Sequence, residues 1–192
     1  MKKFELTTES ITNEAGKKLF RIKALIDFGD VKAGEPGGYV EKEGNVSQDD
    51  NAWVSGDAEV FGNAKVSGNA KVFGNAKVYD NAWVSGDAKV YDNARVYDNA
   101  RVSGNAWVSG DAWVSGDADY ALVQGFGTEF RCTTFYRGKN KKIMVNCGCF
   151  HGDLEGFRKQ VKETRNGKIA KEYLMIADLM EYHFTSEDSS DE

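Results

Sequence analysis

Residues 52–75 read AWVSGDAEVFGNAKVSGNAKVFGN. The same six-residue unit runs on without insertion to Asp117 as AKVYDN, AWVSGD, AKVYDN, ARVYDN, ARVSGN, AWVSGD and AWVSGD. Alanine and valine stand two apart in every unit, so in an extended segment both point to one side. The residues flanking valine point the other way and are Trp, Lys, Arg, Glu, Ser, Phe or Tyr. Gly or Asp followed by Asn or Asp then closes the unit, and these residue types accept a left-handed backbone or cap their own turn. Each unit is therefore one very short strand and one corner. A chain that turns the same way at every corner coils, and identical coils stack around a shared core.

A stack of hairpins is the rival arrangement. Hairpins favour Asn-Gly or Asp-Gly, whereas this chain writes Gly-Asn and Gly-Asp. Strands this short are also poor material for an antiparallel sheet. Collagen is excluded by a period of six and by a single proline in 192 residues.

The motif resembles the hexapeptide repeat of left-handed parallel β-helices, with Val60 or Val66 at the large inward position and Ala64 or Ala70 at the small one. The resemblance implies three units per coil, a triangular cross-section and left-handedness. On that basis residues 40–123 form about four and a half coils, with Val40 and Val46 in the register of the alanines.

Folding at 18 residues sorts the outward positions into columns. The first face carries Trp53, Lys71, Lys89 and Trp107 beside Ser55, Phe73, Tyr91 and Ser109. The second carries Glu59, Lys77, Arg95 and Trp113 beside Phe61, Tyr79, Tyr97 and Ser115. The third carries Lys65, Trp83, Arg101 and Asp119 beside three serines. The candidate protein-binding residues are Phe61, Tyr79, Tyr97, Lys77, Arg95, Trp113, Phe73 and Tyr91. Three readings of these columns stand side by side: ladders that merely brace neighbouring strands, an apolar strip for self-association or a partner, and a platform for bases or sugars.

Outside the repeat, residues 1–39 predict an N-terminal β cap, with strand structure in LFRIKALIDF (19–28) and a turn at AGEPGGYV (33–40). Residues 124–184 predict a small α+β domain. It comprises a hairpin in 130–150 with GKNK at its tip, a helix over 154–164 capped by Asp153, and a second helix over about 169–184. The stripe Ile169, Tyr173, Ile176, Met180 and Phe184 on that second helix suits a core, or else a dimer contact. The stretch TSEDSSDE at 185–192 is too polar to pack and predicts disorder.

Cys132, Cys147, Cys149 and His151 form a weak metal candidate. Thiolate and imidazole are suitable ligands, but C-x-C is tighter than the usual pairing, and buried inert thiols are the ordinary outcome. The pairing of Cys149 with His151 as a nucleophile lacks an orienting group. The best-known enzymes of the resembled fold are acyltransferases that use a histidine from a coil or loop. Here His151 and His183 both lie beyond the repeat, so that activity is disfavoured. No cofactor is expected.

The flanks 19–54, 143–157 and 172–184 resemble β-helix proteins of phages and prophages. That resemblance implies a non-enzymatic accessory acting as a rigid protein-binding or self-assembling scaffold. The alternative it implies is an inhibitor of bacterial defence (CRISPR or nucleotide signalling) that binds a host protein or nucleotide. Expected partners are further copies in a dimer or trimer, and a host protein. No stretch approaches a membrane span, and three cysteines without a signal-like start favour the cytoplasm.

Overall fold

The coil forms because its corners and its core are both satisfied by a six-residue period. In the computed structural model, which describes residues 2–139 and 141–185, the corner residue takes a left-handed backbone, as at Gly68 (φ +69°) and Gly86 (φ +66°). A Cβ at Gly86 would stand 2.9 Å from the Gly104 nitrogen of the next coil. Aspartate holds the same conformation at Asp80, Asp92 and Asp98, which it tolerates better than most side chains.

Eleven two-residue strands, β4 (Trp53–Val54) through β14 (Trp113–Val114), recur every six residues among the described residues. Each of the first eight pairs in parallel with the strand 18 residues on, giving three sheets. Three amides per unit bond across coils: Lys71 N to Ala88 O (2.9 Å), Phe73 N to Val90 O (3.0 Å) and Asn75 N to Asp92 O (2.8 Å). Inside, the alanines and valines from Ala52 to Val114 are almost wholly buried in one continuous cluster. At the corners, Asn and Asp side chains form ladders, such as Asn51 to Asn69 and Asn69 to Asp87, both 2.9 Å.

The first coil is longer than the rest. Val40 pairs with Val60 and Val46 with Val66, a spacing of twenty. The two valines thus stand in the valine columns and not in the alanine register expected of them. The added residues between Val46 and Val54 are held by side chains, since Asp50 accepts from Gly68 N and from Ala52 N.

Both ends of the prism are plugged. At the start, β1 (Phe4–Thr12), β2 (Lys18–Ala24) and β3 (Pro36–Val40) form an antiparallel run continuous with the second-face sheet. The first of these strands has no counterpart in the sequence reading. Phe4, Ile22 and Ala24 join the solenoid core, and buried Lys3 donates to Asp50 O (2.8 Å) and Ala52 O (2.9 Å). Burial lowers the Lys3 pKa, partly offset by the Asp50 carboxylate.

At the far end the chain leaves the coil earlier than expected. A short turn at Asp117–Asp119 replaces the looser unit placed at 118–123, and β15 (Tyr120–Phe126) pairs antiparallel with β16 (Arg131–Arg137). Asp119 therefore does not continue the third-face column. Its carboxylate instead accepts from the Ser115 and Gly116 amides and pairs with Arg137 at 3.0 Å. The expected hairpin is the middle of a four-stranded sheet completed by β17 (Ile143–Cys147) and β18 (Phe150–Asp153).

Helices α1 (Leu154–Thr164) and α2 (Gly167–Thr185) cover one face of this sheet. Asp153 caps α1 by accepting from Gly156 N at 2.9 Å. The expected stripe on α2 is core: Tyr173, Ile176, Met180 and Phe184 are buried, with Ile169 packed beside them. The disorder expected of 185–192 falls, beyond Thr185, outside the described residues.

The cation and aromatic columns as a candidate contact face

Parallel in-register pairing forces like positions into columns about 4.8 Å apart. On the second face this stacks Phe61 on Tyr79 (centroids 5.0 Å, planes 4° apart) and Tyr79 on Tyr97 (5.2 Å, 8°). On the first face Phe73 stacks on Tyr91 at 4.9 Å and 2°. The neighbouring columns supply charge. Lys77 Nζ lies 3.3 Å from Glu59, and the Arg95 guanidinium stands 5.5 Å from the centre of the Trp113 ring. Lys139, from the β16–β17 loop, reaches the same tryptophan at 5.9 Å. Lys89 lies 4.4 Å over Trp107. Rings and cations thus form a connected surface in which offset stacking and cation–π attraction hold each side chain in place.

This surface is not a free strip along its whole length. The β1–β2 hairpin folds over its upper end, and its tip from Asn13 to Lys17 turns at Gly16 (φ +72°). Phe61 is only 8 % exposed, packed with Leu19 and Tyr39, so the sequence assignment of Phe61 as a contact residue is corrected: its ring belongs to a small core. Glu14 at the tip reaches Lys77 (3.4 Å) and Arg95 (4.0 Å), while Asn13 donates to Glu59 (3.1 Å). A groove of about 470 Å³ remains between the tip and the rings, lined by Glu14, Lys17, Lys77, Tyr79 and Arg95. Burial raises the Tyr79 pKa, against the pull of Arg95. Below the hairpin, Tyr97, Arg95 and Trp113 are half-buried, as are Phe73 and Tyr91 on the neighbouring face.

The weak metal candidate separates in space. Strand alternation puts Cys147 on the helix-facing side of the C-terminal sheet, whereas His151 points at the last coil and bonds Asn146 Oδ1 through Nδ1 at 2.6 Å. Cys132 lines a different groove with Trp107, and Cys149 is exposed in a turn. Among the described residues no three His, Cys, Asp or Glu side chains gather closely enough to hold a metal ion. Burial also pushes the Cys132 thiol pKa up, away from thiolate character.

Sequence reasoning missed the polar cluster that joins the two units. Ser109 Oγ lies 3.3 Å from Tyr136 Oη, 3.1 Å from Asn146 Nδ2 and 3.2 Å from His151 Nδ1. Trp107 N donates to Thr134 Oγ1 (3.0 Å) and Trp107 O accepts from Asn146 (2.8 Å). These side chains take the place of the backbone that a further coil would have supplied. Ser109 is one of many serines in the repeat, so no local signal marks it. Ser109 is only 1 % exposed and its hydroxyl is shared among three neighbours at the end of the solenoid.

Among the described residues no helix is long and apolar enough to cross a membrane. Residues 88–103 and 100–116 match the family model described as YdcK beta solenoid repeat. These windows hold Lys89, Arg95, Tyr97 and Trp107, in the half of the solenoid below the hairpin. No curated protein matches the chain. Repeat, coil geometry and family match converge on one statement: the chain is a β-helix repeat protein.

Proposed function

We propose that the protein is a non-enzymatic scaffold that binds a partner protein at the lower second face, through Tyr97, Arg95, Trp113 and Lys139. The observation that carries this reading is the position of Trp113. It stands within reach of two cations, Arg95 at 5.5 Å and Lys139 at 5.9 Å, beyond the cover of the N-terminal hairpin. Aromatic and arginine side chains on a rigid support are what protein contact sites are enriched in. The support here is a stack of short strands with almost every core position filled, so partner contacts cost little ordering. The hydroxyl of Ser109 and Nδ1 of His151 are engaged in closing the solenoid, which favours binding over catalysis. The likeness of the flanks to phage and prophage proteins supports a phage-borne accessory in the host cytoplasm, with a host protein as partner.

The test is capture from host lysate by the full chain, compared with Tyr97→Ser and Trp113→Ser. A protein retained in stoichiometric amount by the parent and at least about tenfold less by either variant is expected, since an aromatic hot spot contributes about 2 kcal/mol or more. Absence of any stoichiometric protein, or equal retention by both variants, overturns the reading.

A further inference from the structure

The first face of the solenoid ends on Trp107. Its strand, β13 (Trp107–Val108), is the last of that sheet, and the C-terminal sheet follows it in place of a further coil. Thr134 and Asn146 of that sheet pin the Trp107 backbone. The indole is 39 % exposed, with Lys89 of the coil above at 4.4 Å over its ring. Trp107 also lines a groove of about 520 Å³ together with Asn105, Arg131, Cys132, Asn146 and Gly148. Lys89 takes no part in that lining, so the ring meets the groove with its opposite side. The volume lies in the range of small-molecule sites.

The lining decides the chemistry. It holds one cation and no acid, and among the described residues no carboxylate lies within ion-pair distance of Arg131 or Lys89. The Arg131 guanidinium rests over Gly148, where a Cβ would collide with Nη1. A cationic ligand would meet Arg131 and Lys89 together, so charge selects an anion. Shape selects a flat ring. Rings one coil apart stack in this solenoid at 4.9 to 5.2 Å, and a planar ligand beneath Trp107 continues that spacing. At the neighbouring corner the ladder joins Asn51, Asn69 and Asp87 but not Asn105, whose amide bonds nothing among the described residues. It offers one acceptor and two donors to the edge of such a ring.

We propose that this groove binds a free nucleotide, with the base stacked under Trp107, its polar edge on Asn105 and its phosphate on Arg131. Bases stack on indoles, and a guanidinium suits a phosphate. A long strand is disfavoured, because the chain carries a net charge of -5 and the groove supplies a single cation.

Isothermal titration calorimetry of the full chain with AMP, GMP, CMP and UMP tests this. At least one is expected to bind with a Kd below about 1 mM. The matching nucleoside, which lacks the phosphate, is expected to bind at least about tenfold more weakly. Trp107→Ala and Arg131→Met are each expected to weaken binding about tenfold or more, with circular dichroism unchanged because neither side chain is in the core. The site is separate from the proposed partner face, so Tyr97→Ser and Trp113→Ser bind the nucleotide as the parent does. No saturable binding of any of the four, full affinity in Trp107→Ala or in Arg131→Met, or tighter binding of a single-stranded oligonucleotide than of any monophosphate overturns the assignment.

Discussion

Tyr136 belongs to the C-terminal sheet by its backbone and to the solenoid by its ring. It is wholly buried in the same cluster as Val108 and Val114, with its hydroxyl 3.3 Å from Ser109 Oγ. The repeat cannot end on an open cross-section of core, and this ring covers it with Tyr120 and Met144 packed alongside.

Burial raises the Tyr136 pKa from 10.0 to about 12. The folded state therefore keeps a proton that the unfolded state gives up first. The stability involved is fully present below pH 10 and is lost as pH rises to about 12, at about 1.4 kcal/mol per pH unit. Chemical denaturation across that window should show the fall, and Tyr136→Phe should flatten it. Tyr136→Ala, which opens the end of the core, is expected to cost about 3–5 kcal/mol at neutral pH.

The corner glycines differ in what they demand. Gly86 has φ +66° and its added Cβ would lie 2.9 Å from Gly104 N, whereas Gly116 has φ −144° and open space around it. Gly86→Ala should therefore lose at least about 1 kcal/mol through backbone strain and crowding, and Gly116→Ala should stay within about 0.5 kcal/mol of the parent. Equal melting temperatures for the two variants would contradict the coil geometry.

At the first coil, buried Asn45 donates to Ala64 O at 2.9 Å and to Gly62 O at 3.3 Å, and accepts from Lys42 N at 2.9 Å. Asn45→Ala leaves Ala64 O without this partner in a buried site and Gly62 O and Lys42 N in partly buried ones, at an expected cost of about 1–3 kcal/mol. Hydrogen exchange should show the loss concentrated in the N-terminal cap and the first coil.

Glu41 accepts from Gly62 N, which holds its carboxyl below the ordinary 4.5. Asp30, paired with Lys71 at 2.6 Å, is likewise lowered from 3.8. Stability tied to a depressed carboxylate is present above the unfolded-state pKa and lost as pH falls through the folded one. Acid should therefore loosen the N-terminal cap below about pH 4, and Glu41→Gln should reduce that dependence. A cap equally protected at pH 3 and pH 7 by hydrogen exchange would contradict it.

Arg158 joins the two helices through Glu155, Asp178 and Glu181 at 3.0, 2.8 and 2.7 Å. Desolvation opposes its charge, but the three carboxylates outweigh that and raise its pKa. The acids are largely exposed, so Arg158→Met should cost only about 1–2 kcal/mol, and less in high salt. Thermal melts at two ionic strengths would measure both effects.

The solenoid was legible because each position of the unit answers a local demand. Alanine and valine fill a narrow core, outward residues alternate with them, and Gly or Asp bends the corner. The columns followed from the period and were placed correctly where the repeat is strict, as in Tyr79 on Tyr97. They went astray where it loosens. Val40 and Val46 shifted register because Val46 and Val54 stand eight positions apart instead of six, and Asp119 left its column because the chain had already turned toward the sheet. Nothing in FELTTESIT at 4–12 announces that its hairpin will cover Phe61, because that contact joins residues some fifty positions apart.

What the sequence by itself determined is the part whose contacts repeat every 18 residues: coil, core, corners and outward columns. Short-range pattern suffices there, since every unit meets a copy of itself. Tertiary structure alone decided how the prism ends and which of its columns stay open. Closing the last coil required Tyr136, Asn146 and His151 to converge from three strands on Ser109. Covering Phe61 while leaving Trp113 accessible required the length and direction of one hairpin. Those outcomes depend on contacts that occur once, and a contact that occurs once leaves no period to read.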